Sequence, residues 1–425
     1  PGTLRLSSGS AKNDAYIWAM EKYMSQVSNE LLAQIPDAIF WNESGDKYPD
    51  IPNTGMVNLD YYTANKVFVF DLSPWSDETP SDDKTQQLGT DLGTLKEILQ
   101  RTYDKSGGKK MISVSGFIPW HLKYTTYNNH GRHSEVETEW RTAQIFSAYN
   151  AFKDADGISY MALANASIYQ KYEIQGKLTN NRPIEIQAFD SNKKYVLFYV
   201  GDYDSAAWTA RMVPQFWRDR RIGEIPLAWP FNPNLSARIP MVFEYVYKFR
   251  TDNDFFVAGN SGAGYINPNY LIEPRIHSNN PSGMDVWIEH NKKYLTKMDI
   301  DITGFVLNSA QPLKPEVLDA YAQMTPKGVI THNYLFGGLI HKGTPFISMT
   351  TDGAGAQNQD LHGVTNSVMN HISINRSRTN FFVFRSVLCS PTYLASLAQN
   401  MKNIDPDIEI VDPYTFFELL KHKIG

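Results

Sequence analysis

This 425-residue sequence has a single cysteine, Cys389, so it can form no internal disulfide and no cysteine-based zinc cluster. Cys389 lies in the apolar stretch 384–389, where a small core residue is expected. No stretch approaches the ~18 consecutive apolar residues that a membrane-spanning helix needs. Basic runs are missing as well. Lys and Arg number 40 against 45 Asp and Glu, a formal charge of −5, so no cationic footprint for a phosphate backbone exists and nucleic acid is not an expected partner. Internal repeats and low-complexity tracts are absent. Neither His-x-x-x-His nor His-Glu-x-x-His occurs, and His130-Gly131-Arg132-His133 reads as a polar loop, so no metal is expected. Serine-based acyl transfer has little support without a Gly-x-Ser-x-Gly elbow. The chain begins Pro1-Gly2-Thr3 without an initiator methionine, as expected of a trimmed start or a removed targeting segment.

Aromatic residues, by contrast, are abundant. With nine Trp, 24 Tyr and 22 Phe they make up 13% of the chain, within an apolar total of 42% that is ample for buried cores. Short apolar runs alternate with helical patterns, the mark of βα units and a parallel sheet buried on both faces. Strands are predicted at 195–200, 226–229, 255–258, 302–307, 328–331, 346–349, 380–385 and 408–411. Helices are predicted at 205–217, 235–249, 284–298, from about 315, and at 361–374. Two more begin at Ser390-Pro391 and Asp412-Pro413, each an N-cap side chain followed by proline. Eight strands in about 230 residues suit a (β/α) barrel, and an open doubly wound sheet has the same local pattern. The first part is less regular, with helices at 14–35, 92–103 and 135–153 and strands at 67–71, 111–117 and 158–163. A polar turn before a short strand at 184–189 sets the expected boundary, giving an N-terminal α/β region, 1–190, and a second domain, 191–425.

Ligands of parallel α/β folds bind at the carboxyl ends of the strands, so the residues after each apolar run are the candidates. They include Asp202, Tyr203 and Asp204, Trp229 and Asn232, Asn260 and Ser261, Asn308, His332 and Asn333, Asp352, Arg385 and Ser386. Asp202 and Asp204 are the sharpest pair: one carboxylate can act as acid, base or ligand while the other caps the next helix, or both are merely loop and cap. Asp352 in a Gly-rich segment, or Glu273 in the long loop 259–283, could complete a catalytic pair. Gly262-Ala263-Gly264 is too short and wrongly placed for a dinucleotide fingerprint. Its glycines permit close approach of backbone to a ligand beside Tyr265, or simply a tight turn. Trp75, Trp120, Trp208, Trp217 and Trp229 lie at or just beyond strands. Aromatics beside carboxylates suit a flat polar ligand with an apolar face, such as a sugar.

The segment Gly262-Ala263-Gly264-Tyr265-Ile266-Asn267-Pro268 resembles the GxGYxYP family of glycoside hydrolases, with Asn267 where the family has tyrosine. Asp202-x-Asp204, Pro226-Leu227-x-Trp229 and Val411-Asp412-Pro413 extend the resemblance over about 191–425, with Tyr203 and Ser205 as departures from the family's acidic segment. It implies a C-terminal (β/α) barrel, distorted and of seven or eight strands, related in shape to polysaccharide deacetylases, behind a smaller α/β N-terminal region. It also implies a secreted, periplasmic or cell-surface protein.

The expected function is therefore glycoside hydrolysis or related polysaccharide processing at the strand ends. Asp202 or Asp204 would pair with Asp352 or Glu273, and Tyr265, Trp229, His332, Arg385 and Asn260 would line a carbohydrate site that needs no cofactor. Carboxyls ~5 Å apart would predict retention of configuration and ~6.5–9.5 Å inversion. A metal-dependent polysaccharide deacetylase and a non-catalytic glycan-binding protein are the alternatives.

Overall fold

The computed structural model describes residues 6–35, 58–116, 124–126, 131–155, 163–309, 311–333, 335–352 and 354–425. The chain forms two compact units: Pro1–Ile168 with Ile266–Trp287, and Tyr169–Tyr265 with Ile288–Gly425.

In the first unit, β1 (Leu31–Gln34), β2 (Phe68–Phe70), β3 (Ile112–Ser115) and β4 (Ala151–Asp154) form a parallel sheet of order β2-β1-β3-β4. Leu32, Phe70, Ile112 and Val114 pack against Leu95, Ile98 and Leu99 of the helix Thr90–Lys105, which supplies the apolar stripe that covers the sheet. The excursion Ile266–Trp287 is fastened here by Arg275, which is 1% exposed. Its guanidinium donates to the Leu271 and Ala148 carbonyls and to Asn150 Oδ1, at 3.1, 2.9 and 2.7 Å. Burial lowers the pKa of this guanidinium to about 10.

The second unit is built on one curled sheet. Its strands are β5 (Lys194–Tyr199), β6 (Leu227–Phe231), β7 (Asp254–Ala258), β8 (Ile302–Val306), β9 (Gly328–Thr331), β10 (Leu339–His341), β11 (Thr344–Ser348), β12 (Thr351–Asp352), β13 (Phe381–Arg385) and β14 (Ile408–Ile410). The order is β10-β11-β9-β8-β7-β6-β5-β13-β12, with β14 also on β5. β11 pairs with β9, and two residues beyond its end Thr350 donates its N–H to the Val383 carbonyl as β12 joins β13. The run 344–352 thus links the two flanks of the sheet. Counting it as one strand, and setting aside the antiparallel β10, the ten segments reduce to eight parallel strands in a barrel-like curl. Every residue of β6, β7, β8 and β11 is buried, which explains why these runs read as continuously apolar. Helices connect β5 to β6, β6 to β7, β7 to β8, β8 to β9, β12 to β13 and β13 to β14, and Ser205, Ser390 and Asp412 cap theirs by accepting backbone N–H groups.

The differences from the sequence reading cluster in the first unit. The stretch 14–35 divides into the helix Ala11–Tyr23 and strand β1, because Gln26 to Glu30 turn the chain. The helix from Glu135 ends at Ser147, where Asn150 in left-handed conformation lets the chain reverse into β4. The strand predicted at 158–163 lies mostly outside the described residues, as does Trp120. No strand forms at 184–189. The neighbouring Asn180 is drawn to β7 instead, its amide accepting the Phe256 N–H at 2.9 Å and donating to the Phe256 carbonyl at 2.7 Å. The segment 169–190, read from sequence as N-terminal region, is accordingly part of the second unit.

Candidate functional site

At the carboxyl ends of the second unit's strands, a small set of side chains converges on Phe305. β8 carries a register shift between Thr303 and Val306, and within it Phe305 has φ 48°. Such a bulge re-aims a side chain that regular pleating would turn to the opposite face. It requires Gly304, since a Cβ there would stand 2.2 Å from the Tyr199 ring. The Arg385 guanidinium lies 4.4 Å from the centre of the Phe305 ring, the His332 ring meets it edge-on at 5.1 Å, and Tyr265 lies 6.4 Å away. Arg385, the last residue of β13, reaches across to Asp202 beyond the end of β5, Nη2 to Oδ2 at 3.1 Å. Asp202 is 36% exposed and Arg385 11%, so the carboxylate faces solvent while its cation is held below it. Gly201, before Asp202, leaves room for Arg385, whose Nε would be 3.2 Å from an added Cβ.

The tautomer of His332 follows from its neighbour. Asn333 Nδ2 lies 2.7 Å from His332 Nδ1, so in the neutral ring Nδ1 accepts and the proton sits on Nε2. Asn333 is fixed in turn, its carbonyl accepting from Asn308 Nδ2 at 3.0 Å and Thr331 Oγ1 at 2.9 Å. Among the described residues, five buried polar atoms at the same strand ends have no hydrogen-bond partner: Tyr203 Oη after β5, Asn232 Nδ2 after β6, Asn260 Nδ2 after β7, Asn308 Oδ1 after β8 and Ser386 Oγ after β13. Donor and acceptor groups kept dry and unpaired cost stability, and a ligand's hydroxyls would satisfy them.

The Gly262-Ala263-Gly264 turn is held from the helix Met284–Met298. Asn291 Oδ1 accepts the Ala263 N–H at 2.8 Å, and His290 Nε2 donates to the Ala263 carbonyl at 2.9 Å. Gly262 has φ 121°, and an added Cβ would stand 2.2 Å from Asn291 Oδ1, so two separate constraints require glycine. Burial lowers the His290 pKa to about 4, keeping the ring neutral as the Nε2–H donor this contact needs. The turn thereby delivers Tyr265 to the Phe305 cluster.

Of the residues predicted from sequence, Asp202, Tyr265, His332, Arg385 and Asn260 stand at these strand ends. Asp204 is 8% exposed beside them, and the following helix is capped by Ser205 rather than by Asp204. Asp352 pairs in β12 opposite Arg385, with its side chain outside the described part of the structure. Glu273 belongs to the first unit, exposed, its Oε1 accepting the Ser282 N–H at 2.7 Å. Trp229 lies within β6, fully buried, its indole N–H donating to Asp254 Oδ1 at 2.8 Å and its ring 4.8 Å from Trp217, so it packs the interior instead of lining a rim. Phe305 was missed by the sequence reading, although glycine inside an apolar strand, as in Thr303-Gly304-Phe305, is a signal for a bulge. Among the described residues no group of three His, Cys, Asp or Glu side chains is placed to hold a metal ion.

No curated protein matches the chain. Among solved structures, a "putative hydrolase" from Bacteroides thetaiotaomicron superposes with a TM-score of 0.70 at 17% identity, covering 96% of this chain and 70% of that one, a likeness of fold. A "putative polysaccharide deacetylase" from Mycobacterium smegmatis gives a TM-score of 0.38 at 9% identity, covering 59% of this chain and 96% of that one, too low to carry an argument. The family described as "GxGYxYP putative glycoside hydrolase C-terminal domain" matches residues 192–421, more than half of the chain, and the protein belongs to that family.

Proposed function

We propose that this protein is a glycoside hydrolase, or a closely related polysaccharide-processing enzyme, acting at the carboxyl ends of the strands of its second unit. The observation that carries the reading is the solvent-facing Asp202 carboxylate, held by Arg385 beside an aromatic floor at Phe305 and buried polar atoms without partners at Asn260, Asn308 and Ser386. Sugars present hydroxyls around an apolar face, and this combination offers both complements. Asp202 would act as the base or nucleophile at the sugar carbon, and His332 Nε2–H would donate to a hydroxyl. The second carboxyl would come from Asp204 or Asp352. A secreted, periplasmic or cell-surface location is part of the same proposal.

The test is product analysis on a panel of polysaccharides with wild type, Asp202→Asn and Asp204→Asn. Loss of glycosidic cleavage in Asp202→Asn with retained binding supports the reading. Cleavage unaffected in both variants refutes it, and release of acetate instead of sugar would point to a deacetylase. Binding without any bond cleavage in the wild type would mark a glycan-binding protein.

A further inference from the structure

The second unit contains a cavity of about 460 Å³ beside the Asp202 segment, which the function proposed above does not use. That volume falls in the range of ~300–1,000 Å³ typical of small-molecule sites. Trp208, Met212 and Phe216 of the helix Ala206–Phe216, together with Leu388, form apolar walls; Gln357 and Asn358 bring amides to the rim. Trp208 is partly exposed, and Gln357 and Asn358 are exposed. Asn358 Oδ1 accepts the Ser390 N–H at 3.0 Å, which leaves its NH₂ end to donate.

Three of these residues are in left-handed conformation without being glycine: Gln357 at φ 52°, Asn358 at φ 59° and Leu388 at φ 51°. That region is uncommon for side-chain-bearing residues, most of all for a bulky one, and such strain concentrates where a ligand is clamped. Among the described residues the only charged one on the lining is Asp219, whose Oδ1 already accepts from Thr392 Oγ1 at 2.6 Å and from the Arg221 N–H at 2.8 Å. An anionic ligand would meet this carboxylate and no cation. The cavity is also tied to the strand-end cluster. Leu388 lies three residues beyond Arg385 and donates its N–H to the carbonyl of Gly201, the residue before Asp202.

We infer that this cavity is a second sugar subsite, in which the Trp208 ring and the Gln357 and Asn358 amides hold a neutral unit of a glycan chain whose neighbouring unit lies at Asp202. The inference rests on the proposed function and specifies its substrate as an uncharged oligosaccharide or polysaccharide rather than a monosaccharide. An aromatic wall takes the apolar face of the ring, while rim amides take its hydroxyls.

The test uses the full chain carrying Asp202→Asn and labelled with 5-fluorotryptophan, the Trp208 fluorine signal being assigned by its loss in Trp208→Phe. Neutral oligosaccharides of increasing length, prepared from a polysaccharide that the wild type cleaves or binds, are titrated in. The Trp208 signal is expected to shift saturably only above a minimum length. In the otherwise wild-type enzyme, Trp208→Ala is expected to raise KM about tenfold for long chains, erasing the length dependence, with a smaller change in the same direction for Gln357→Ala. A Trp208 signal that stays fixed while the oligosaccharide binds elsewhere overturns this inference and leaves the proposed function standing. A shift produced by acidic glycans alone overturns it too. Should no glycan bind or be cleaved by the wild type, the proposed function fails, and the subsite with it.

Discussion

The two ends of the second unit's strands differ in how many of their polar groups are paired. Near the amino ends Asp254 and Asp301 each have several partners, while Thr303 Oγ1 in the second residue of β8 has none. Asp254, the first residue of β7, accepts from Trp229 Nε1, the Thr251 N–H and Thr251 Oγ1, each at 2.8 Å, and although burial raises its pKa these bonds act against the rise. Asp301, next to β8, accepts from Tyr414 Oη at 2.6 Å and Arg182 Nη2 at 3.2 Å. At the carboxyl ends, Asn260, Asn308 and Ser386 each leave a buried polar atom unpaired. Burying a polar group without a partner costs on the order of 1–3 kcal/mol, so the larger number of unpaired atoms at the carboxyl ends is a cost in stability that a bound ligand would offset. On the function proposed above, the amino ends hold the sheet together and the carboxyl ends are where the ligand would bind.

Substitutions at the two ends should separate these roles. The largest effect is expected at the carboxyl end, where Asp202→Asn should lower kcat for glycan cleavage by roughly 10²–10⁴-fold and leave the midpoint of urea unfolding unchanged. At the amino end, Trp229→Phe removes one of the three donors to Asp254 and should destabilise by about 1–3 kcal/mol in urea unfolding, with KM unaltered. If Trp229→Phe weakens binding more than folding, the division between the ends is wrong. Gly304→Ala links them, because the added methyl meets the Tyr199 ring below Phe305. It should cost about 1–3 kcal/mol and also raise KM. Asn260→Ala should be smaller, a several-fold rise in KM, with the gain from removing an unpaired amide offset by placing alanine at a φ of 56°.

The smallest effect concerns pH. The folded-state pKa of His290, about 4, is below its usual 6.5, so the unfolded chain binds this proton first as pH falls. Stability from this site is therefore complete above pH 6.5 and is lost as pH falls towards 4. The melting temperature should drop by a few degrees across that window, and by less in His290→Gln. An identical pH profile in the two proteins would show that the buried His290 ring does not carry this pH dependence.

Much of the second unit was legible because its strands are buried on both faces. A run such as Phe255-Phe256-Val257-Ala258 has little freedom to be anything else, and the Ser-Pro and Asp-Pro caps mark two helix starts unambiguously. The first unit was harder to read, since β1 and β4 follow helices after short turns and their four residues add no periodicity of their own. Residues at strand ends were identified because parallel topology places them there whatever their identity: Asp202, His332 and Arg385 needed only the right strand boundaries. Trp229 misled because it neighbours the same boundary but points into the interior, and no sequence spacing distinguishes those directions. Gly304 and Phe305 show the opposite case, where a local signal was present and its consequence depended on the Tyr199 ring.

The sequence by itself determined the alternation of strands and helices, the lack of any disulfide, and the turn at Gly262 to Gly264. These follow from local sterics and from apolar patterning along the chain. Only the tertiary structure decided that 344–352 bridges β9 and β13, that 266–287 departs to the first unit, and that Phe305, Arg385 and Asp202 meet. Each of these joins residues tens to nearly two hundred positions apart. Such contacts are selected by the packing of whole strands against one another, which no short window of sequence contains.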